Sequence, residues 1–86
     1  MPRITTQRLL ERIANGHFNV VKLRGSQDGA FYLLLEGSDG SFIHENPDGK
    51  MKEYPHADHA LTWLKRMTGV KEVVVDIELW QTDKKS

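Results

Sequence analysis

The chain has 86 residues, with 12 basic and 12 acidic side chains, 4 histidines and no cysteine. This length predicts one domain, because a single hydrophobic core usually serves about 100–150 residues. The zero formal net charge disfavours binding to nucleic acid or membranes through bulk charge, and the lack of cysteine excludes disulfides, a thiolate nucleophile and cysteine-ligated zinc.

The first predicted element is a helix that begins at Thr5 or Thr6, since a hydroxyl side chain accepts a free backbone N–H at a helix start. It ends at Asn15-Gly16, where glycine suits the left-handed position after a helix. Its apolar residues recur at helical spacing: Leu9, Leu10 and Ile13. Four strands follow, separated by turn sequences rich in glycine, aspartate and proline. They are predicted at 18–24, 31–36, 41–45 and 50–54.

The second predicted helix follows Pro55 and ends at Gly69. Its apolar face combines steps of three and four residues: Ala57, Ala60, Leu61, Trp63, Leu64 and Met67. A last strand is predicted over 71–80, where apolar residues alternate most regularly. One face of that strand carries Val73, Val75, Ile77 and Leu79, and the other carries Val74, Asp76, Glu78 and Trp80.

The resulting order, α-β-β-β-(β)-α-β, predicts the fold class. Tight turns between the middle strands predict antiparallel pairing, and two amphipathic helices need a sheet face on which to bury their apolar stripes. We therefore predict an α+β two-layer sandwich, with an antiparallel sheet of four to five strands and two helices packed on one face. The domain spans residues 1–80, and residues 81–86 form a polar C-terminal tail.

Several functional classes lack their sequence signals. No apolar run approaches the roughly 20 residues of a membrane span, and the N-terminal residues lack the apolar stretch of a secretory signal. We expect a cytoplasmic protein without membrane contact. Nucleophile motifs, phosphate loops and dinucleotide-binding patterns are also missing from the sequence. We therefore predict that the protein is not an enzyme and uses no cofactor.

Three histidines raise the question of a metal site. His44 ends the third strand, and His56 and His59 open the second helix, so they converge if that strand ends near the helix. Glu45 and Asp58 lie in the same cluster, and a His/Glu acid–base pair is the other functional interpretation. The His-x-x-His spacing is weak alone, because zinc needs a third and usually a fourth ligand, and the positive end of a helix dipole repels a cation. We therefore favour a structural role near the helix cap and predict no metal.

The neutral total conceals two oppositely charged segments. Residues 1–24 carry five basic side chains and one acidic, hence +4, whereas residues 36–58 carry six acidic and two basic, hence −4. A nucleic-acid-binding module is the alternative function, with four candidate residues: Arg8, Arg12, Lys22 and Arg24. The element order resembles the double-stranded-RNA-binding fold, but Asp58 stands where that fold carries lysines. A solvated face and self-association of opposite patches are the remaining explanations.

Aromatic residues indicate a contact surface. Trp63 lies on the apolar face of the second helix and is predicted to belong to the core. Tyr32, Val74 and Trp80 are predicted to share the sheet face that the helices leave open, and a partly apolar open face often contacts a partner. These three are the candidate partner-binding residues, and the partner is another protein or a second copy of the chain.

Four stretches carry a resemblance in pattern: Phe31-Tyr32-Leu33-Leu34, Pro47-Asp48-Gly49-Lys50, His56-Ala57-Asp58-His59-Ala60 and Val73-Val74-Val75-Asp76. Over most of its length the chain resembles short uncharacterised bacterial domain proteins of this layout. The resemblance implies the same fold and a bacterial, plasmid- or phage-associated setting, and it implies no activity or site residue. The sequence thus predicts a small non-enzymatic protein-interaction module, as a homodimer or with another partner.

Overall fold

A computed structural model describes residues 2–81, which form two helices and six strands. In chain order the elements are β1 (Arg3–Thr5), α1 (Thr6–Ala14), β2 (Phe18–Gly25), β3 (Phe31–Gly37), β4 (Gly40–Glu45), β5 (Glu53–Tyr54), α2 (Ala57–Thr68) and β6 (Val74–Asp76). Both helices and the three middle strands lie where the sequence predicts them. The predicted polar tail lies, apart from Gln81, outside the described residues.

The strands form one mixed sheet in the order β1-β4-β3-β2-β6, with β5 also paired to β3. The α+β class is confirmed, and the hairpin-linked β2, β3 and β4 pair antiparallel as predicted. The prediction of a wholly antiparallel sheet is wrong at both ends, since β1 runs parallel to β4 and β6 runs parallel to β2. Tight hairpins force antiparallel pairing, whereas a chain that returns through a helix can place a strand parallel to its neighbour.

The edge strands are shorter than predicted or were not predicted. β1 has three residues, of which only Ile4 is buried, so it is too short for an alternating pattern to show. The predicted last strand, 71–80, shrinks to Val74–Asp76. It ends there because Asp76 Oδ1 accepts a hydrogen bond from the backbone N–H of Glu78 at 3.1 Å, and such a bond between near neighbours turns the chain.

Both helices cover the same face of the sheet, as predicted. Leu9 of α1 and Leu64 of α2 are completely buried there, in one cluster with Leu23, Leu33 and Leu35 of the central strands. Burying large aliphatic side chains of this kind contributes about 1.5–3 kcal/mol each. Within residues 2–81 neither helix is long and apolar enough to cross a membrane.

The opposite face of the sheet carries the residues that alternate with this core. These are Val20, Lys22, Arg24, Tyr32, Leu34, Glu36 and Ile43. Leu34 is only 1% exposed although it faces away from the helices. It lies in register between Lys22 and Ile43 of the adjoining strands, so the uncovered face has a small apolar centre of its own.

Candidate functional site

His44 is the one buried polar side chain of the described core, at 1% exposure. β4 places it against β1, where it is in register with Ile4. Its Nε2 atom lies 2.7 Å from Thr6 Oγ1, and its ring stacks on Trp63 with 5.3 Å between the ring centres. Its Nδ1 atom is buried without a hydrogen-bond partner among residues 2–81. Burial, and secondarily the Lys52 charge, lowers the pKa of His44 to about 4, so this ring is a neutral structural group.

The other two histidines lie apart from that pocket. His56 and His59 are exposed at the start of α2, and their rings contact each other edge to face at 5.2 Å. No group of three or more histidine and acidic side chains within residues 2–81 is placed to hold a metal ion. His44 therefore does not join His56 and His59 in a ligand set, and its closest ring neighbour is the indole of Trp63.

The charged segments pair with each other inside the molecule. Arg12 of α1 forms an ion pair with Asp39 in the β3–β4 turn, and its guanidinium lies 4.8 Å from the ring centre of Phe42. Lys22 Nζ lies 3.6 Å from Glu36 Oε2 across the β2–β3 pair. Both contacts join the basic segment to the acidic segment, so part of the predicted charge separation is neutralised within one chain.

The four candidate nucleic-acid-binding residues do not form one surface. Arg8 and Arg12 belong to α1, in the helical layer, whereas Lys22 and Arg24 point to the opposite face of the sheet. Arg24 is also engaged, since its Nε atom lies 3.2 Å from Asp76 Oδ2. A continuous basic surface, which phosphate recognition requires, is therefore not assembled from these four side chains.

The three candidate partner-binding residues lie on two different faces. Tyr32 is in register with Arg24, and Val74 with Lys22, so these two share the open face as predicted. Trp80 does not: its ring packs on Phe31 at 5.3 Å between centres. The prediction of one common face is wrong for Trp80, because the chain turns after β6 and the alternation ends there.

Two contacts fix Trp80 in its own chain. Its Nε1–H donates a hydrogen bond to the Gly29 carbonyl oxygen at 2.9 Å. The indole also lies directly over Gly25, where a Cβ atom would come within 2.5 Å of the Trp80 Cβ. A glycine is required at that position because only hydrogen fits between strand and ring. Trp80 thus anchors the C-terminal segment to the sheet.

Of a group of exposed apolar side chains in and around β6, sequence reasoning identified only Val74. We name this group the C-terminal edge, and it consists of Leu61, Val74, Val75, Ile77 and Leu79, each 39–56% exposed. The alternation in 71–80 placed Val75, Ile77 and Leu79 on the strand face opposite Val74, and therefore on the side that the helices were expected to cover. They are about half exposed, because β6 lies at the edge of the described sheet. The sequence held no signal for this exposure, because the alternation fixes the orientation of these residues and not how much of the strand the helices cover.

The C-terminal edge adjoins a cleft between α2 and β6 of about 310 Å³. Leu64, Val73 and Val75 form part of its apolar lining, and Lys65 and Lys71 bring two cations to it. No strand within residues 2–81 pairs with the outer side of β6. An open row of backbone donors and acceptors therefore lies next to exposed apolar side chains.

Protein-family models, curated proteins and solved structures yield no match to this chain.

Proposed function

We propose that the protein is a non-enzymatic interaction module that binds a protein partner through its C-terminal edge. The observation that carries the proposal is that the outer side of β6 is unpaired among the described strands, while exposed apolar side chains lie on both faces of the same strand. Val75 lies on the helix side and Val74 on the open side of β6, and both are about half exposed. A cytoplasmic location and a bacterial, plasmid- or phage-associated setting belong to the same proposal, on the sequence pattern alone.

Strand edges of this kind are costly to leave open. Unpaired N–H and C=O groups template pairing with another chain, and soluble proteins usually protect them with charge, proline or a bulge. β6 lacks these devices at its centre, since Val74 and Val75 precede the only charged residue of the strand, Asp76. An incoming strand would satisfy the backbone groups and bury the apolar side chains together, which is the usual basis of recognition by strand addition.

The three residues predicted to bind a partner have different positions relative to the C-terminal edge. Val74 remains a candidate contact, and Tyr32 lies nearby, because it lines a small cleft together with Leu79. Trp80 has a supporting role, since it packs on Phe31 and fixes the chain segment that follows β6. In its place, we propose that Val75, Ile77 and Leu79 make apolar contacts with the partner.

The test compares two lysine variants of the full chain as baits in extract from the cells that produce the protein. Val75→Lys places a charge at the centre of β6, whereas Met67→Lys alters an equally exposed apolar residue of α2 outside the edge. Captured proteins are quantified by mass spectrometry and re-tested as purified pairs. We expect binding to be kept by Met67→Lys and lost by Val75→Lys. Equal binding by wild type and both variants would overturn the assignment of the edge.

A further inference from the structure

The β-branched residues in and beside β6 are arranged symmetrically about Val75. Val73 and Ile77 stand two residues to either side of it, and all three are β-branched. Val75 faces the helix side of the sheet because it is in register with buried Leu23. A segment in which β-branched residues recur at the same spacing in both directions can pair with its own copy, since antiparallel pairing about a central residue is two-fold symmetric.

We propose that the partner at this edge is a second copy of the chain, with the two β6 strands paired antiparallel about Val75. The inference rests on the proposed function and names its partner. In this register Val75 stands opposite Val75 of the other copy, and Val73 and Ile77, which flank β6, lie at the two ends of the paired strands. Cross-strand pairs of β-branched residues stabilise a sheet, and the two sheets join into one across the junction.

Charges on the open face favour the same register. Val74 of one copy stands opposite Asp76 of the other. Within each copy Lys22 is in register with Val74, and Arg24 is in register with Asp76. Each Asp76 therefore keeps the ion pair with Arg24 of its own copy and stands opposite an uncharged side chain. No two carboxylates face each other in this register, and like charges directly opposite would destabilise the pairing. The Asp76 carboxylate also accepts the Glu78 backbone N–H, which keeps it at the strand end.

The size of the edge sets the strength of this dimer. β6 has three residues, and the apolar side chains around it are already about half buried. Such an interface falls below the roughly 1,200 Å² of standard stable complexes. The dimer should therefore dissociate on dilution, with monomer and dimer in rapid exchange.

Cysteine cross-linking tests the register, and the chain offers a clean background because it contains no cysteine. In Val75→Cys the two sulfur-bearing residues are directly opposite, with Cα atoms about 4.5–5.5 Å apart, which a disulfide can span. In the matched control Val74→Cys the two cysteines are diagonal, about 7–8 Å apart, beyond comfortable disulfide reach. We expect mild oxidation to give a covalent dimer for Val75→Cys and little for Val74→Cys. The reverse pattern would overturn the register.

Light scattering over a dilution series tests the second copy itself. The average molar mass of wild type and of Met67→Lys should rise with concentration from the monomer value of 9.9 kDa towards twice that value. Val75→Lys should raise the dimer dissociation constant at least about tenfold, because a lysine would have to be buried at the strand junction. Circular dichroism confirms that each variant is folded. A dimer that forms equally well in Val75→Lys would place the contact elsewhere and overturn the inference.

The two proposals fail in different ways. A wild-type chain that stays monomeric at every concentration overturns the second copy as partner. If Val75→Lys nevertheless abolishes capture of another protein, the edge still binds, and the proposed function stands with a different occupant. If neither self-association nor capture depends on Val75, both proposals are overturned.

Discussion

Protonation of His44 should control the stability of this fold in mild acid. The ring is 1% exposed, its Nδ1 atom has no hydrogen-bond partner in the described part of the chain, and its pKa falls from 6.5 to about 4 in the folded protein. In the unfolded chain His44 therefore takes up a proton near its ordinary pKa, whereas in the folded chain it stays neutral until the pH falls to about 4. Since the unfolded state binds more protons in that interval, the free energy of unfolding decreases as the pH falls through it.

The pKa difference sets the size of the effect. A difference of one in pKa corresponds to about 1.4 kcal/mol. The preferential protonation of His44 in the unfolded chain therefore lowers the free energy of unfolding by about 3 kcal/mol once the pH reaches its folded-state pKa. Between about pH 7 and about pH 5 the expected loss is about 2 kcal/mol. Asp76 contributes below this interval, because the Glu78 backbone N–H and Arg24 hold its pKa under the ordinary 3.8. Above about pH 5 the decrease in the free energy of unfolding therefore reports on His44 and not on the Asp76 carboxylate.

Urea denaturation at a series of pH values, followed by tryptophan fluorescence, measures this loss. His44→Phe keeps an aromatic ring against Trp63 and removes the titrating group, so its unfolding free energy should be nearly constant across the interval. His17→Gln is the matched control, because His17 is exposed in the turn after α1, and it should keep the wild-type profile. Equal losses in wild type and His44→Phe would refute the assignment of the effect to His44.

Three further predictions concern packing and charge. Gly25→Ala should cost about 1–3 kcal/mol, because its Cβ would overlap Trp80, and a red shift of tryptophan emission should accompany the loss. Leu34→Ala should cost about 2–5 kcal/mol in urea denaturation, although Leu34 lies on the uncovered sheet face, because it is buried there. If Leu34→Ala lowers the free energy of unfolding by less than about 1 kcal/mol, the uncovered sheet face has no packed apolar centre. Arg12→Gln should cost less than about 1 kcal/mol, with a smaller effect at high salt, since the Arg12–Asp39 pair is partly exposed.

The helices and hairpins were predictable because their signals are local. Gly69 adopts φ +72° at the end of α2, which is the left-handed position that the sequence predicts for it. The Asp39-Gly40 pair forms the β3–β4 turn as expected, with Gly40 at φ +117°. Each of these features is decided by a few adjacent residues, so the printed sequence contains the information that fixes them.

The sheet margins were not predictable in the same way, because pairing partners distant in sequence decide them. β1 is a strand only because Ile4 packs into the core and pairs with His44, forty positions later in the chain. Whether His44 faces a core or a metal site also depends on that pairing. The pattern of 71–80 predicted the orientation of Val74 and Val75 correctly, but no residue count in the segment says how far the helices extend over it.

The charged segments and the apolar segment around Val75 both have a role in the structure that differs from the one the sequence suggested. The two oppositely charged segments suggested association through electrostatics, yet Lys22 contacts Glu36 and Arg12 contacts Asp39 within one molecule. Exposed pairs of this kind contribute little stability, and they leave less charge available for long-range attraction between copies. The alternating segment around Val75 suggested core and is exposed instead. The property that most strongly drives association is therefore apolar burial combined with strand pairing at β6, and self-association through this edge should respond weakly to salt. A steep loss of the dimer with rising salt would instead point back to the charged segments.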